Sequence, residues 1–470
     1  MPETLRRLRT ILTALFALVL CWPLLIAFPI NGGDALWVAE SSRALVSCVR
    51  NNVWTECPGT YQFGWLQHIP AMFFAWKGLG DETIVLLLTL LNFMAMVWLI
   101  SRLIKQSQKL TGVVWLLLGA ITLGPLYAFS VYSFSESLSF VLMAALVIYL
   151  SSARNFGVSV LLVFFLSSSR ETALLAVLPL ALSVLLIVEQ EIRLVIKKFF
   201  WLSLSSLMGL ISVFLFNIWK YGSWSNEIYA DPIRRVPGLV LKLKNFMAIW
   251  ISPSGGVLPF WFLGGVLAIS IPLVAVVVFR HEMRKALAAS LLLGNLFVQT
   301  ALLSAWFAPF GWVTWGPRLI MPTVGAVLFA SFTLFPEIVQ KLIDFVRYKF
   351  ALVAVLLLAT YGAGLSNLGF ILDRAATLSW FTPPLLPRCT TTANIETDPD
   401  FYWSCALDFA PWQLGRTLWD SGIHQVTAEW ALIYFSFTIL IAMNVFSRDY
   451  SSLSATSTRP PASEGNREIN

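Results

Sequence analysis

The sequence predicts an all-α protein that crosses a membrane many times. Of its 470 residues, 58% are apolar and only 12% are charged, and the mean hydropathy is +0.76. Soluble globular domains carry about 25% charged residues, so the composition excludes that class. Apolar runs long enough to cross about 30 Å of hydrocarbon recur from one end of the chain to the other, with short polar stretches between them.

Twelve apolar segments are predicted to span the membrane. The first, residues 11–30, is too long for the apolar part of a signal peptide and has no small-residue cleavage site after it, which indicates a retained helix. The others are predicted at 82–104, 111–129, 134–150, 156–168, 171–188, 199–217, 257–279, 286–305, 319–335, 350–370 and 428–446. Together they form a predicted transmembrane domain over residues 1–446. The Ser- and Pro-rich tail, 447–470, is expected to be disordered in the cytoplasm.

The distribution of charge predicts that both termini lie in the cytoplasm. With that orientation, the inner segments hold 19 of the 32 basic residues and 9 of the 25 acidic residues. This excess follows the positive-inside rule. Membrane topology and contact with anionic lipids therefore account for the basic balance, without a nucleic acid partner. The longer connections, 31–81, 219–256, 307–318 and 373–427, then lie outside, where we expect the functional residues.

Four of the five cysteines form two pairs, each within one predicted outer loop. Cys48 and Cys57 share the first loop, and Cys389 and Cys405 share the last. Pairs confined to single loops are typical of disulfides in an oxidising compartment. The cysteines therefore agree with the charge distribution in placing both loops outside.

Asp34 follows the first predicted helix directly and opens a short segment, 34–40, that we expect to be an interfacial helix. An aspartate after two glycines at a helix start is a favourable N-cap. A carboxylate at the boundary between water and lipid can also take a proton from an acceptor hydroxyl as a general base. Both interpretations fit the sequence.

Four further charged residues lie at the outer ends of apolar segments. A carboxylate at membrane depth, such as Glu136, costs free energy unless it is paired or serves a site. Arg170 and Glu171 could simply pair with each other. Arg318 has a planar fork of donors that suits phosphate oxygens. The alternative for Arg318 is an interfacial arginine that extends its charged end to water.

Six short motifs follow one another between residues 33 and 322. They are Gly33-Asp34 with its amphipathic segment, Ser135-Glu136-Ser137-Leu138, Arg170-Glu171, the Asn-x-x-x-Tyr-Gly-Ser segment Asn217 to Ser223, Ser252-Pro253-Ser254-Gly255-Gly256, and Trp315-Gly316-Pro317-Arg318 before a helix that contains proline. In this order they resemble the GT-C superfamily of membrane glycosyltransferases, particularly the bacterial relatives of dolichyl-phosphate-mannose-dependent mannosyltransferases. The last two motifs are the most specific.

The resemblance implies an inverting transfer of a sugar, mannose or similar, from a polyprenyl-phosphate donor to a hydroxyl of a lipid, glycan or protein. It implies cell-envelope or surface-glycan assembly at a bacterial cytoplasmic membrane, with Asp34 as the catalytic base. The implied phosphate-binding residues are Arg318, Arg170 and Lys220, and the supporting ones are Glu136, Glu171, Tyr221, Ser254 and Trp315. Many relatives carry a second acid beside that aspartate, but Ala35 stands here, so a metal-bridging acidic pair is not expected. No cofactor is expected either, and a divalent metal ion stays an open alternative.

Two other classes of protein remain open. A twelve-helix transporter or flippase should have paired halves and discontinuous helices around a midplane site, whereas the candidate residues here crowd one face. A glycan polymerase, ligase or acyltransferase would need an outer histidine or arginine pair, for which His68 is available. The other two histidines, His281 and His424, complete no pair with ligand spacing, so no metal site is expected.

Overall fold

The computed structural model of the chain describes residues 34–54, 56–57, 65–106, 111–131, 135–152, 155–169, 173–224, 236, 238–252, 256–306, 318–347, 349 and isolated positions between 354 and 445. Within these ranges the regular structure is helical, which confirms the predicted all-α class. The predicted segments at 11–30, 350–370 and 428–446 lie wholly or mostly outside the described residues. The total of twelve spans and the placement of the termini therefore stay predictions.

Fifteen helices are defined in the described ranges. They are α1 (Asp34–Arg50), α2 (Trp65–Trp76), α3 (Asp81–Gln106), α4 (Thr111–Thr122), α5 (Pro125–Val131), α6 (Ser135–Ser151), α7 (Phe156–Ser167), α8 (Ala173–Val188), α9 (Ile192–Tyr221), α10 (Leu239–Ile251), α11 (Val257–Phe260), α12 (Phe262–Val278), α13 (Met283–Ser304), α14 (Met321–Leu334) and α15 (Pro336–Arg347). Helices α3, α6, α7, α8, α13 and α14 coincide with predicted segments to within a few residues. Helix α9 extends beyond its predicted segment at both ends.

The apolar helices identify an integral membrane protein. Three of the described helices, α3, α9 and α13, are long and apolar enough to cross a membrane. Helices α14 and α15 add a fourth crossing only if this pair, bent by 94°, forms one broken span. One cluster of buried apolar side chains connects α3 to α15, whereas α1 and α2 pack with the start of α3 in a cluster of their own.

The third predicted span is divided into α4 and α5 at Gly124. A continuous helix would bond the Gly124 amide to the Ala120 carbonyl, but this amide donates to Ile121 O at 3.2 Å. The indole Nε1 of Trp261 donates to Ala120 O in its place, at 2.6 Å. A Cβ on Gly124 would lie 2.5 Å from that Nε1, and a Cβ on Gly264 would lie 2.1 Å from Cε2 of the same ring. The break therefore depends on two glycines that leave room for a buried indole.

The predicted outer loop 219–256 contains a helix that the sequence analysis missed. Helix α10 packs along the end of α13, where Asn245 Nδ2 donates to Ser304 O at 3.4 Å and Trp250 Nε1 donates to Thr300 Oγ1 at 3.2 Å. Because the contacts descend α13 as the chain advances along α10, the two helices run antiparallel. After a break of a few residues the chain continues into α11 and α12.

The end of α7 lies inside the bundle. Ser167, the last residue of α7, places its Oγ 2.6 Å from that of Ser206, near the middle of the 30-residue α9. Ser168, the next residue, accepts a bond from Ser212 Oγ at 3.3 Å. Because Ser212 lies nine residues before the end of α9, α7 ends about 14 Å below that end, at 1.5 Å per residue. In the first turn of α8, the Ala176 carbonyl accepts a bond from Asn295 Nδ2 of α13 at 2.8 Å.

Candidate functional site

Asp34 lies in α1, which the structure describes over 17 residues, so a helix is present at the predicted segment 34–40 and extends further, to Arg50. Ala35, Val38 and Ala39 lie on the buried face of α1, which packs against α2 and α3. Arg43 forms an ion pair with Asp81, the first residue of α3, at 2.5 Å. Helix α1 is therefore held against the bundle, which fixes the position of the backbone at Asp34.

One of the two predicted disulfides is present. Cys48, near the end of α1, is bonded to Cys57 across nine positions of the sequence. Leu45 and both half-cystines are buried in a small cluster together with Phe216 and Trp219 of α9. Cys389 and Cys405 lie outside the described residues, so their pairing stays a prediction.

Arg318 and Glu136 form a buried ion pair. Arg318 precedes α14, Glu136 lies in the first turn of α6, and Nε of the arginine is 3.5 Å from Oε1 of the glutamate. Their exposed fractions are 6% and 1%. An interfacial arginine extending to water does not fit this burial, because the guanidinium faces a carboxylate inside the protein. Each of the two side chains also makes further interactions.

Lys220 is buried in the last turn of α9, with an exposed fraction of 2%. Its Nζ lies 5.3 Å from the ring centroid of Phe216 and 4.9 Å from that of Tyr221. Lysine ammonium groups at such distances are attracted to the faces of aromatic rings. Lys220 shares one face of α9 with the buried residues Gly209 and Asn217. This face points into the bundle above the level at which α7 ends.

Buried charge is concentrated at one end of the bundle. In the described ranges, four residues with formal charge are buried: Glu136, Glu189, Lys220 and Arg318. Three of them lie at helix ends predicted to be extracytoplasmic. The fourth, Glu189, pairs with Lys198 at the opposite end, at 2.5 Å. Charged groups within membrane helices are costly and commonly mark substrate pathways, so the candidate site is the predicted outer end.

The predicted site residues are only partly brought together. Arg318 forms an ion pair with Glu136, and the Lys220 ammonium group lies over the ring of Tyr221. Asp34 lies in α1. The residues Arg170, Glu171, Ser254 and Trp315 lie outside the described ranges. In the part of the chain that the structure describes, no group of three or more histidine, cysteine or acidic side chains could hold a metal ion.

His68 has a position that the acyltransferase alternative did not anticipate. Its Nε2 lies 3.0 Å from Ser41 Oγ of α1, and its ring lies 5.6 Å from that of Phe216 of α9. The exposed fractions of His68 and Ser41 are both 0%. Because the pair is enclosed between three helices, it is placed to fix α1 against α9 and has no open face for a substrate.

Trp219 was not among the predicted site residues, although it directly precedes Lys220. Its carbonyl accepts a bond from the Cys57 amide at 3.3 Å, and its Nε1 donates to Val53 O at 3.1 Å. Both bonds come from the turn that the disulfide closes. The only signal in the sequence is the position of Trp219 beside a lysine, which carries no information about the first loop.

Comparisons with known proteins gave matches among solved structures alone. No protein-family model and no curated protein matches the sequence. The chain is similar to the crystal structure of ArnT from Cupriavidus metallidurans in the apo state, with 16% identity, 93% of this chain and 77% of that chain covered, and a TM-score of 0.47. It is similar to ArnT from the same organism bound to undecaprenyl phosphate, with 15% identity, coverage of 95% and 79%, and a TM-score of 0.42.

Proposed function

We propose that this chain is an inverting glycosyltransferase of a bacterial cytoplasmic membrane. It moves a sugar, mannose or similar, from a polyprenyl-phosphate donor to an acceptor hydroxyl on the extracytoplasmic face, in cell-envelope or surface-glycan assembly. The observation that carries the proposal is the buried Arg318–Glu136 pair at the same end of the bundle as the buried Lys220. The motifs noted in the sequence supply the reaction class.

The donor phosphate needs fixed positive charge. When the bond between the anomeric carbon and the phosphate oxygen breaks, the electron pair stays on the phosphate, which gains a negative charge. Preorganised cations in a site that excludes water stabilise such developing charge strongly. Arg318 has the bidentate geometry for two phosphate oxygens, and Glu136 fixes the plane of its guanidinium. Lys220 and Arg170 add charge to the same proposed site.

The acceptor hydroxyl needs a base. In the proposed reaction Asp34 takes the hydroxyl proton while the acceptor oxygen attacks the anomeric carbon from the side opposite the phosphate. One carbon–oxygen bond forms as the other breaks, so the configuration inverts. Tyr221, Ser254, Trp315 and Glu171 are proposed to support the sugar and to orient the charged groups. No cofactor enters this scheme.

The broken helices suit a substrate with a polar head group and a lipid tail. Backbone that is not helical is tolerated at membrane depth where it is buried in protein or lines an aqueous cavity. Ser168 and Ser169 after α7 and Ser252 after α10 are buried and not helical. A polar recess opening to the outer face would admit the sugar and phosphate while the polyprenyl tail stays in the lipid. Recognition of membrane lipids is therefore part of the proposal.

The test is release of polyprenyl phosphate by purified protein. The protein is offered a panel of polyprenyl-phosphate sugars with membrane lipid extracts as acceptors, and Asp34→Asn is measured beside the wild type. Release that requires Asp34, with sugar recovered on an acceptor, supports the proposal and identifies the donor. A parallel assay with a chelator examines dependence on a divalent metal. No release from folded wild-type protein with any donor contradicts the proposal.

A transporter or flippase is the second candidate, and the broken helices favour it. Secondary transporters commonly form their sites from discontinuous helices, and this chain breaks several. In proteoliposomes, a flippase would move a polyprenyl-phosphate sugar between leaflets without releasing polyprenyl phosphate. Flux without release would therefore select the transporter, and release without flux would select the transferase.

A further inference from the structure

The turn after α1 contains two residues with left-handed backbone. Asn52 and Glu56 have φ angles of 57° and 54°. Asparagine commonly ends a helix in this conformation, whereas glutamate seldom adopts it. The disulfide from Cys48 to Cys57 closes this turn, and the Val53 amide donates to Cys48 O at 2.8 Å. Such backbone persists when its surroundings over-determine it.

The turn is attached to the end of α9 on several sides. Trp219 is bonded through its carbonyl to the Cys57 amide and through its indole to the Val53 carbonyl, and its ring lies 5.9 Å from that of Trp54. Three residues further on, the side chain of Glu56 covers Gly222, where an added Cβ would lie 2.6 Å from the Cγ of the glutamate. The turn therefore contacts the end of α9 at two positions, Trp219 and Gly222.

Lys220 lies between these two points of attachment. Gly222 ends the helix with a φ of 70° and donates its amide to Ile218 O at 2.9 Å, so the backbone on both sides of Lys220 is fixed. One turn earlier, the ring of Phe216 contacts His68 of α2, whose Nε2 lies 3.0 Å from Ser41 Oγ of α1, so α9 is also connected to α1 through α2. The position of the buried ammonium group thus depends on the first outer loop as well as on α9.

We propose that the disulfide-closed turn, Cys48 to Cys57, is a positioning element for Lys220 and acts through Trp219. While the disulfide is intact, the turn holds the last residues of α9 so that Lys220 stays directed into the bundle. When the disulfide is lost, Glu56 leaves its left-handed conformation and the turn releases Trp219. This inference rests on the proposed function only in assigning Lys220 to the donor phosphate.

The first test examines the position of Lys220 without any substrate. Purified full-length protein is treated with a small amine-reactive reagent and the modified lysines are read by mass spectrometry. Lys220 should be protected in the wild type and become at least about tenfold more reactive in Cys48→Ala/Cys57→Ala. The exposed Lys77 should react equally in both. Equal protection of Lys220 in a folded double variant would overturn the inference.

The second test measures donor use. In the same double variant the KM for the polyprenyl-phosphate sugar should rise by about tenfold while kcat changes less, because the charge that binds the phosphate is displaced and the base is untouched. Asn51→Ala, in the same turn and with its side chain bonded to Ser47, should behave as wild type. An unchanged KM in the double variant, with wild-type activity present, would contradict the inference alone. Absence of activity in the wild type would instead contradict the proposed function.

A third variant tests the inference if the double cysteine variant does not fold. Trp219→Phe keeps a ring beside Trp54 and removes the indole donor to Val53 O together with part of the ring. It should raise the reactivity of Lys220 and the donor KM in the same direction, by less than the loss of the disulfide. Wild-type values for both quantities would overturn the role assigned to Trp219.

Discussion

Glu136 faces Arg318 inside the protein, with Oε1 of the glutamate 3.5 Å from Nε of the arginine and almost no exposed surface on either side chain. Transfer of two charges from water costs about as much as their attraction returns, so a buried pair is a weak source of net stability. Removal of one partner is a different matter, because the other charge is then left buried. Substitutions in this pair can therefore be measured for two separate effects, on the free energy of unfolding and on donor use.

Glu136→Gln should lower the free energy of unfolding by about 3–5 kcal/mol, since it leaves the Arg318 guanidinium without its buried counter-charge. The measurement is thermal unfolding in one detergent, with Glu136→Gln/Arg318→Gln as the control. The double variant should lose less stability than the sum of the two single variants. Additive losses would show that the two side chains do not interact.

Arg318→Lys should raise the donor KM by about tenfold or more, because a point charge replaces a planar bidentate fork. The polyprenyl-phosphate release assay gives the KM, and the melting temperature shows whether the fold is retained. Lys341→Arg, on the exposed face of α15, is a control that alters a cation remote from the site. Unchanged donor use in Arg318→Lys would remove this arginine from the phosphate site.

Asp34→Asn should abolish sugar transfer and leave binding of polyprenyl phosphate intact, because the amide cannot accept the acceptor proton. Asp34→Ser provides the discriminating control. Serine caps a helix nearly as well as aspartate, so it should preserve the melting temperature without restoring transfer. If either variant transfers sugar at the wild-type rate, Asp34 serves as a helix cap only.

Gly264→Ala should lower the free energy of unfolding by about 1–3 kcal/mol, as expected for overpacking a filled core. The added methyl would meet the indole of Trp261 at 2.1 Å. Gly294→Ala in α13 is the matched control, because nothing lies within 4 Å of its added Cβ. That change should stabilise the protein by about 0.5–1 kcal/mol. Equal effects of the two changes on the melting temperature would contradict the packing described for Trp261.

Cys48 and Cys57 should resist alkylation in native membranes until a reductant is added. The same is expected of Cys389 and Cys405, whose pairing follows from the sequence alone. Peptide mapping by mass spectrometry, without reduction, distinguishes the two pairs. Cys21, the fifth cysteine, lies in the first predicted helix and is expected to be the thiol outside both pairs. Ready labelling of either pair before reduction would place that loop outside an oxidising compartment.

Most membrane helices could be predicted because a long apolar run is a strong local signal. The polar stretch at 167–171 also predicted the separation of α7 from α8, but the break at Gly124 could not be predicted, because the apolar composition continues through it. The interruption at Gly124 depends on Trp261, which arrives from a distant part of the chain. Helix α10 was missed because Lys242 and Lys244 interrupt its apolar pattern and its 13 residues are too few for a span.

The candidate site divides in the same way. The sequence identified Glu136 and Arg318 as charges beside apolar segments, which is a local property, whereas Lys220 was named only through the family resemblance. It could not show that Glu136 and Arg318 face each other, since a partner across two helices is a property of the tertiary fold. The role of Trp219 could not be predicted either, because it depends on hydrogen bonds to a distant loop.

The length of α9 bears on the depth of the proposed site. Its 30 residues span about 45 Å, whereas the hydrocarbon layer is about 30 Å thick. If α9 crosses the membrane, tilt can absorb part of this mismatch, and we expect the end that carries Lys220 to reach the lipid head groups. Deleting one turn of this helix would move the ammonium by about 5 Å along the helix axis. The length of α9 is therefore predicted to match Lys220 to the depth of the proposed donor phosphate.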